Sequence, residues 1–384
     1  MKIAYPASAL DHTNPATNNN LIGNYLIKYF QKYGVEVEVF PAYEDYTKIY
    51  YRLKKVILQI LTKKIHIRHR EPKLLKHLSK KIENSINSSD ADLVFVFGTT
   101  PVAYLDVNKP IYIITDATFK IISNFNYEFT NLDKKTIENS EAIEKIAFQK
   151  AKKIFLSSDW AKQSAINDYK VPLEKIKVVP LGANIDYSPN QNEITEIINA
   201  RQFNTINLVF IGKFWKRKGG VRTLTIVNEL ILRGYQPHLT IIGTEVPQKD
   251  RKIYNIDKYI EIIPFLNKSI PDEEKRFRNI LTNSHFLLFP TLADTFGHVI
   301  CEANAYGIPV IASDIGGVPE AITNGKNGYL INFESEPNKA VDYIINYFEN
   351  KDKYKEFAYS SFLEYQNRLN WDVIIQQIIK EVQE

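Results

Sequence analysis

The sequence predicts an α/β protein built of two doubly wound domains. Three observations predict it. The chain has 384 residues, more than a single hydrophobic core normally organises. Two separate series of short β-rich runs alternate with longer stretches of helical periodicity. Most of those runs are apolar nearly throughout, the pattern of strands covered by helices on both faces of a parallel sheet.

The first series is Lys2–Pro6, Val35–Phe40, Leu93–Phe97, Ile111–Thr115, Ile154–Ser157 and Ile176–Val179. The second is Leu208–Gly212, Leu239–Gly243, Ile260–Pro264, Phe286–Pro290 and Pro309–Ser313. Between them, Asp186–Asn204 is polar, contains Pro189 and breaks the strand rhythm. The expected division is therefore an N-terminal domain over 1–186, a linker over 187–204 and a C-terminal domain over 205–367. An amphipathic C-terminal helix, about 368–384, is expected to pack back on the first domain. In open α/β sheets ligands bind outside the carboxyl ends of the strands, so the site is sought in the loops that leave them.

Composition narrows the function classes. A 44% hydrophobic and 24% charged content is that of an ordinary globular protein rather than a disordered chain. The one cysteine, Cys301, excludes an internal disulfide framework and a cysteine-rich metal site. The N-terminus lacks the apolar core of a signal peptide, and no apolar run reaches the roughly 18 residues of a membrane span. A cytoplasmic location is the expectation. Between Lys48 and Lys81, Lys and Arg crowd together with three His and the single acid Glu71. Tyr50, Tyr51, Leu53, Val56, Ile57, Ile60 and Leu61 interleave with them at roughly helical spacing. Two readings stay open: a solvated helix face, or a surface for anionic lipid or an anionic acceptor, peripheral to a membrane. No nucleic-acid-binding motif is present, so nucleic acid is not an expected partner.

The densest chemistry lies in Pro290–Glu320, PTLADTFGHVICEANAYGIPVIASDIGGVPE. A strand ends near Pro290, a loop carries Asp294, Thr295, Phe296 and Gly297, and a helix runs from about His298 to Tyr306. Backbone N–H groups at the start of that helix suit a phosphate. A carboxylate inside the helix suits sugar hydroxyls instead, as an acid does in dinucleotide folds. Glu302 is thus matched to a ribose and Asp294 to a donor hexose. A second motif, IGKFWKRKGG over Ile211–Gly220, follows the first strand of the second domain and opens a helix. Its cations form a basic loop, and each charge-assisted hydrogen bond from it to an anion would contribute about 1.5–3 kcal/mol.

Together these stretches resemble the retaining glycosyltransferases of family 4, the glycosyl transferases group 1. The resemblance is carried by Phe296, Gly297, Glu302, Ala303, Ala305, Gly307, Pro309, Val310, Ser313, Gly316, Gly317 and Glu320. The sequence departs from it at Asp294, where the family usually has Glu. It departs again at Lys213, which takes an Arg position and loses the bidentate fork; Lys218 takes the family's Lys position and Arg217 stands near enough to compensate. The resemblance implies the GT-B fold, two Rossmann-like domains facing a central cleft, with a nucleotide-sugar donor in the C-terminal half. Lys213, Arg217, Lys218, Thr295, Phe296, Gly297, His298 and Glu302 are the expected donor contacts. His298 suits either a hydrogen bond to the donor or a packing role. Phe265 and Leu266, in IIPFLN, either face the base or are plain core. Retaining chemistry with departure and attack on one face needs no enzymic nucleophile, and the family's basic residues take the place of a metal. No metal or cofactor is expected.

The acceptor, sugar-containing or lipid-linked, is assigned to the first domain. Thr115, Asp116 and Thr118 in TDATF stand at a strand end, and Asp116 is either a polar helper for transfer or a helix cap. Asn18 in the first loop is a further acceptor candidate. Ser157, Ser158 and Asp159 form another polar strand end, read as the cap of a helix beginning near Trp160. Asp294, Glu302 and Asp116 make up the expected catalytic set. A sugar-nucleotide epimerase of the same fold and a non-catalytic nucleotide-sugar-binding protein are the competing readings. A nicotinamide-dependent dehydrogenase is disfavoured, because no Gly-x-Gly-x-x-Gly follows the first strand of either domain.

Overall fold

The computed structural model describes residues 1–7, 21–41, 53, 56, 57, 59–125, 129–336 and 338–384. The chain forms two compact units, Met1–Pro180 with Ile374–Glu384, and Leu181–Val373.

The first unit holds a parallel sheet of β1 (Lys2–Ala7), β2 (Glu36–Pro41), β3 (Leu93–Phe97), β4 (Ile111–Thr115), β5 (Lys153–Leu156) and β6 (Ile176–Val178), in the order β2-β1-β3-β4-β5-β6. β4 is buried along its whole length, and β3 along all but its last residue. That burial on both faces is why the strands read as continuous apolar runs. Helix Pro72–Ser88 turns Leu75, Ile82 and Ile86 into this core, and helix Lys134–Lys150 adds Ile143, Ala147 and Phe148. The second helix starts where Asp133 accepts the Thr136 N–H at 3.0 Å, a side-chain cap for an otherwise unpaired amide. Ser158 caps helix Asp159–Asn167 through the Ala161 N–H in the same way. Near the chain's end Glu381 pairs with Lys153 and, at 2.6 Å, with Lys177. Gln376 donates to the Tyr33 hydroxyl at 2.7 Å. These contacts fasten Ile374–Glu384 to the first unit.

The second unit repeats the plan with β7 (Ile206–Ile211), β8 (Pro237–Ile242), β9 (Ile260–Ile263), β10 (Phe286–Phe289), β11 (Val310–Ser313) and β12 (Gly328–Ile331), all parallel, in the order β12-β11-β10-β7-β8-β9. Two of its elements differ from expectation. β12 is an edge strand absent from the sequence-derived series. It is short, and its central Tyr329 and Leu330 are only half-buried. The stretch read as a linker carries helix Gln191–Ala200, which belongs to the second unit. Asn190 accepts the Glu193 N–H while the Glu193 side chain accepts the Asn190 N–H, a capping box. Ile194 and Ile198, one turn apart, are buried. Polar composition hid a helix whose local start signal was present.

His285, immediately before β10, is fully buried against Phe203, Phe348 and Tyr354. Its Nδ1 accepts the Asn207 N–H at 3.0 Å. Burial, helped by the nearby Arg201 charge, lowers its pKa to about 3 from an ordinary 6.5. The native ring therefore stays neutral where the unfolded ring takes a proton. Its contribution to stability is complete above about pH 6.5 and is lost as pH falls toward about 3, at up to about 1.4 kcal/mol per pH unit. Replacing it by Asn, which keeps an acceptor for Asn207, should flatten the loss of unfolding free energy between about pH 6.5 and pH 4.5. Equal slopes for the two proteins in urea titrations would contradict this.

Candidate functional site

The second sheet changes direction at β7. The next strand, β8, lies on one side of it and β10 lies on the other. The loops leaving the carboxyl ends of β7 and β10 therefore start side by side at a topological switch point, where such sheets bind ligands.

Backbone contact locks these two loops together. Leu292 N–H donates to the Arg217 carbonyl at 2.7 Å, and the Thr291 hydroxyl donates to it at 3.1 Å. Gly219 adopts φ +79°, and a Cβ there would lie 1.8 Å from the Pro290 carbonyl oxygen. Only glycine allows that approach. Trp215 anchors the β7 loop from below, its Nε1–H donating to Asp250 at 2.9 Å.

Charge gathers where the loops touch. Lys218 Nζ donates to Asp294 Oδ2, and Arg217 Nη1 lies 3.7 Å from the same oxygen. Arg217 also donates to the Ala293 carbonyl at 2.9 Å. The Lys218 ammonium stands 4.8 Å from the centre of the Phe289 ring. All three charged side chains are at least 86% buried, exposing 11%, 14% and 10% for Arg217, Lys218 and Asp294. Burial alone would push the Asp294 carboxyl up, but the Lys218 charge and hydrogen bond, then Arg217 and the Phe296 N–H, hold it below the usual carboxylate range. Two cations stand against one carboxylate at this junction, with burial lowering the Lys218 pKa and the Asp294 charge opposing that shift.

Gly297, at φ +95°, turns the chain into helix His298–Ala305. The first amides of a helix have no intrahelical partner and face incoming anions. Phe296 is buried at 1% exposure and packs within the unit, while Thr295 is half-buried. His298 donates from Nδ1 to the Gly182 carbonyl at 2.9 Å. Further along, Glu302 is 5% exposed, and its Oε1 accepts from Lys268 Nζ at 2.8 Å.

Several expected residues fall elsewhere. Lys213 is exposed and makes no ion pair among the described residues, so Arg217, not Lys213, is the second cation at the cluster. Asp294, assigned above to a donor hexose, lies in the cluster itself, paired with Lys218 and Arg217. Phe265 is 53% exposed and Leu266 half-buried in the loop after β9, which removes the plain-core reading for Phe265. In the first unit, Thr115 closes β4 at 6% exposure and donates to the Ala117 carbonyl at 3.2 Å. Asp116 is half-buried beside it, its carbonyl accepting from the Ser157 hydroxyl at 2.8 Å. Thr118 is fully buried, with its hydroxyl 2.6 Å from the Ser164 hydroxyl. It is a packing residue and corrects the expectation of an acceptor contact. Asn18 lies outside the described residues. Lys268 escaped the sequence reading, because a lone lysine in a loop carries no spacing signal.

Residues 193–362 match the family model of glycosyl transferases group 1. Among curated proteins, the chain is 31% identical over 228 residues to an uncharacterized 41.2 kDa protein in the cps region of Klebsiella pneumoniae, covering 57% of this chain and 60% of that one. It is 26% identical over 218 residues to a D-inositol 3-phosphate glycosyltransferase of Corynebacterium jeikeium, covering 54% and 51%. The chain thus spans between half and two thirds of the length of these relatives. Among solved structures, Anabaena HepE in complex with UDP and glucose superposes with a TM-score of 0.66 at 15% identity, over the whole of both chains. The fold is GT-B.

Proposed function

We propose that this chain is a retaining hexosyltransferase. It takes a sugar from a nucleotide diphosphate, UDP- or GDP-linked, and passes it to a glycan, lipid-linked or small-molecule acceptor. The observation that carries the reading is the meeting of Arg217, Lys218 and the Gly297 helix start at the switch point of the second sheet. The group 1 match over residues 193–362 and the UDP bound to HepE support it.

In this reading the diphosphate lies against Lys218, Arg217 and the helix start. The bond from the sugar's anomeric carbon to the phosphate oxygen breaks with its electron pair going to that oxygen. Lys218, Arg217 and the helix amides stabilise the charge as it grows. The acceptor oxygen bonds to the same carbon on the same face, and its proton passes to the departing phosphate oxygen. Glu302 holds the ribose, and the loop at Phe265 and Leu266 faces the base. Asp294 acts chiefly by fixing Lys218 and Arg217. Asp116 and Thr115 are the acceptor-side groups of the first unit. Product analysis tests this: a new glycoside with retained anomeric configuration supports it, whereas an altered free sugar nucleotide supports the epimerase reading instead.

A membrane-facing role for the basic segment belongs to the same proposal. Leu53, Val56, Ile57, Ile60 and Leu61 are exposed, Ile60 and Leu61 by 72% and 75%, beside the exposed Lys63 and Lys64. Lys48, Tyr50, Tyr51, Lys54 and Lys55 lie outside the described residues. Among the described residues no helix is long and apolar enough to cross a membrane. An apolar ridge flanked by lysines suits the interface of an anionic bilayer, each lysine contributing about 1 kcal/mol. Lys63→Glu with Lys64→Glu should therefore weaken sedimentation with anionic vesicles by about tenfold or more. Unchanged sedimentation would leave a solvated helix face.

A further inference from the structure

The loop between β9 and helix Pro271–Asn283 places a lysine against the carboxylate read here as the ribose contact. Lys268 Nζ donates to Glu302 Oε1 at 2.8 Å and to the Asn184 carbonyl at 2.7 Å. Both acceptors are themselves fixed. Glu302 sits inside helix His298–Ala305 at 5% exposure. Asn184 is held through its side chain by Trp371 Nε1–H at 3.2 Å. The lysine's own loop is braced: Ser269 N–H donates to the Asn267 side chain at 3.0 Å, and Ile270 N–H donates to the Asn267 carbonyl at 2.9 Å. The lysine ammonium also lies 5.1 Å from the centre of the Phe277 ring. Among the described residues, Glu302 Oε2 makes no hydrogen bond.

We infer that Lys268 is a positioning residue that holds Oε1 of Glu302 and presents Oε2 to the vicinal hydroxyls of the nucleotide's ribose. The inference rests on the donor-site reading above. A carboxylate free to rotate loses entropy when a diol binds it; one already held does not. The lysine also supplies the counter-charge for a carboxylate that is only 5% exposed. A lysine that merely tied two loops together would affect stability without affecting which hydroxyls the site reads.

The test is equilibrium binding of UDP and GDP, each against its 2′,3′-dideoxy form. The proteins compared are wild type, Lys268→Met, Lys268→Gln, Lys268→Arg and Glu302→Gln, with urea unfolding of each as a check of folding. Wild type should prefer the ribonucleotide by about tenfold or more. Lys268→Met should reduce that preference to about threefold or less, and Lys268→Arg should restore most of it. Lys268→Gln gives the same reading if the Met variant fails to fold. If Glu302→Gln removes the preference while both neutral Lys268 variants keep it, the positioning role is overturned. If Glu302→Gln itself leaves the preference intact, the ribose reading of the site is what fails, and the inference falls with it.

Discussion

Lys218→Ala is expected to weaken nucleoside diphosphate binding by about 100-fold or more, while binding of the bare nucleoside changes little. Lys218 Nζ is the cation closest to Asp294 at the junction of the β7 and β10 loops. Its removal takes away the ammonium that hydrogen-bonds the diphosphate in the proposed site, and that charge-assisted contact is lost whatever the net charge of the groups that remain. The variant also breaks a buried ion pair, which costs about 3–5 kcal/mol because Asp294 is left with only the 3.7 Å contact to Arg217. Lost binding and lost folding must therefore be separated. The double variant Lys218→Ala, Asp294→Asn removes both charges, so it should recover much of the stability and none of the diphosphate affinity. Calorimetric titration with UDP, GDP and their nucleosides reads the first effect, and urea unfolding reads the second. Diphosphate binding as tight as wild type in the Ala variant would remove Lys218 from the site.

Gly219→Ala should be the most damaging single-methyl change in the second unit. The residue's φ of +79° costs an L side chain roughly 1–2 kcal/mol. The new Cβ would also meet the Pro290 carbonyl oxygen at 1.8 Å, and that atom is backbone that cannot swing away. The two loops must separate, breaking the Leu292 N–H and Thr291 hydroxyl bonds to Arg217. The expected total is about 3 kcal/mol or more, beyond the ordinary range for a surface-loop substitution. Because the same separation carries Lys218 away from Asp294, donor affinity should fall together with stability. A neighbouring change that spares the contact, Lys216→Ala, should do neither. A Gly219→Ala protein as stable as wild type would mean that the loops are not locked by this contact.

The fold was legible largely because buried parallel strands announce themselves. β3 and β4 read as unbroken apolar runs since helices cover both of their faces. β12 did not, because an edge strand with half-buried Tyr329 and Leu330 has no comparable run. Helix Gln191–Ala200 was hidden in another way: its Asn190–Glu193 start was visible, but two buried isoleucines among polar neighbours were outweighed by the composition. In the site, Lys218 and Asp294 were legible as motif residues, yet not as partners, since the switch point that joins them follows from strand order rather than spacing. Lys268 was invisible for the same reason. Its meaning comes from Glu302, 34 positions away. Thr118 misled because a small polar residue at a strand end looks the same whether it faces a ligand or, as here, Ser164 in the core.

The central claim is that the carboxyl edge of the second sheet binds a nucleoside diphosphate. Thermal unfolding with UDP, GDP, ADP and their common sugar conjugates tests it most directly. At about 100 times its dissociation constant, one nucleotide class should stabilise the wild-type protein by about 2.7 kcal/mol and have almost no effect on the Lys218→Ala, Asp294→Asn protein. Equal stabilisation of both proteins would place the nucleotide elsewhere, and no stabilisation of wild type by any of them would contradict the account.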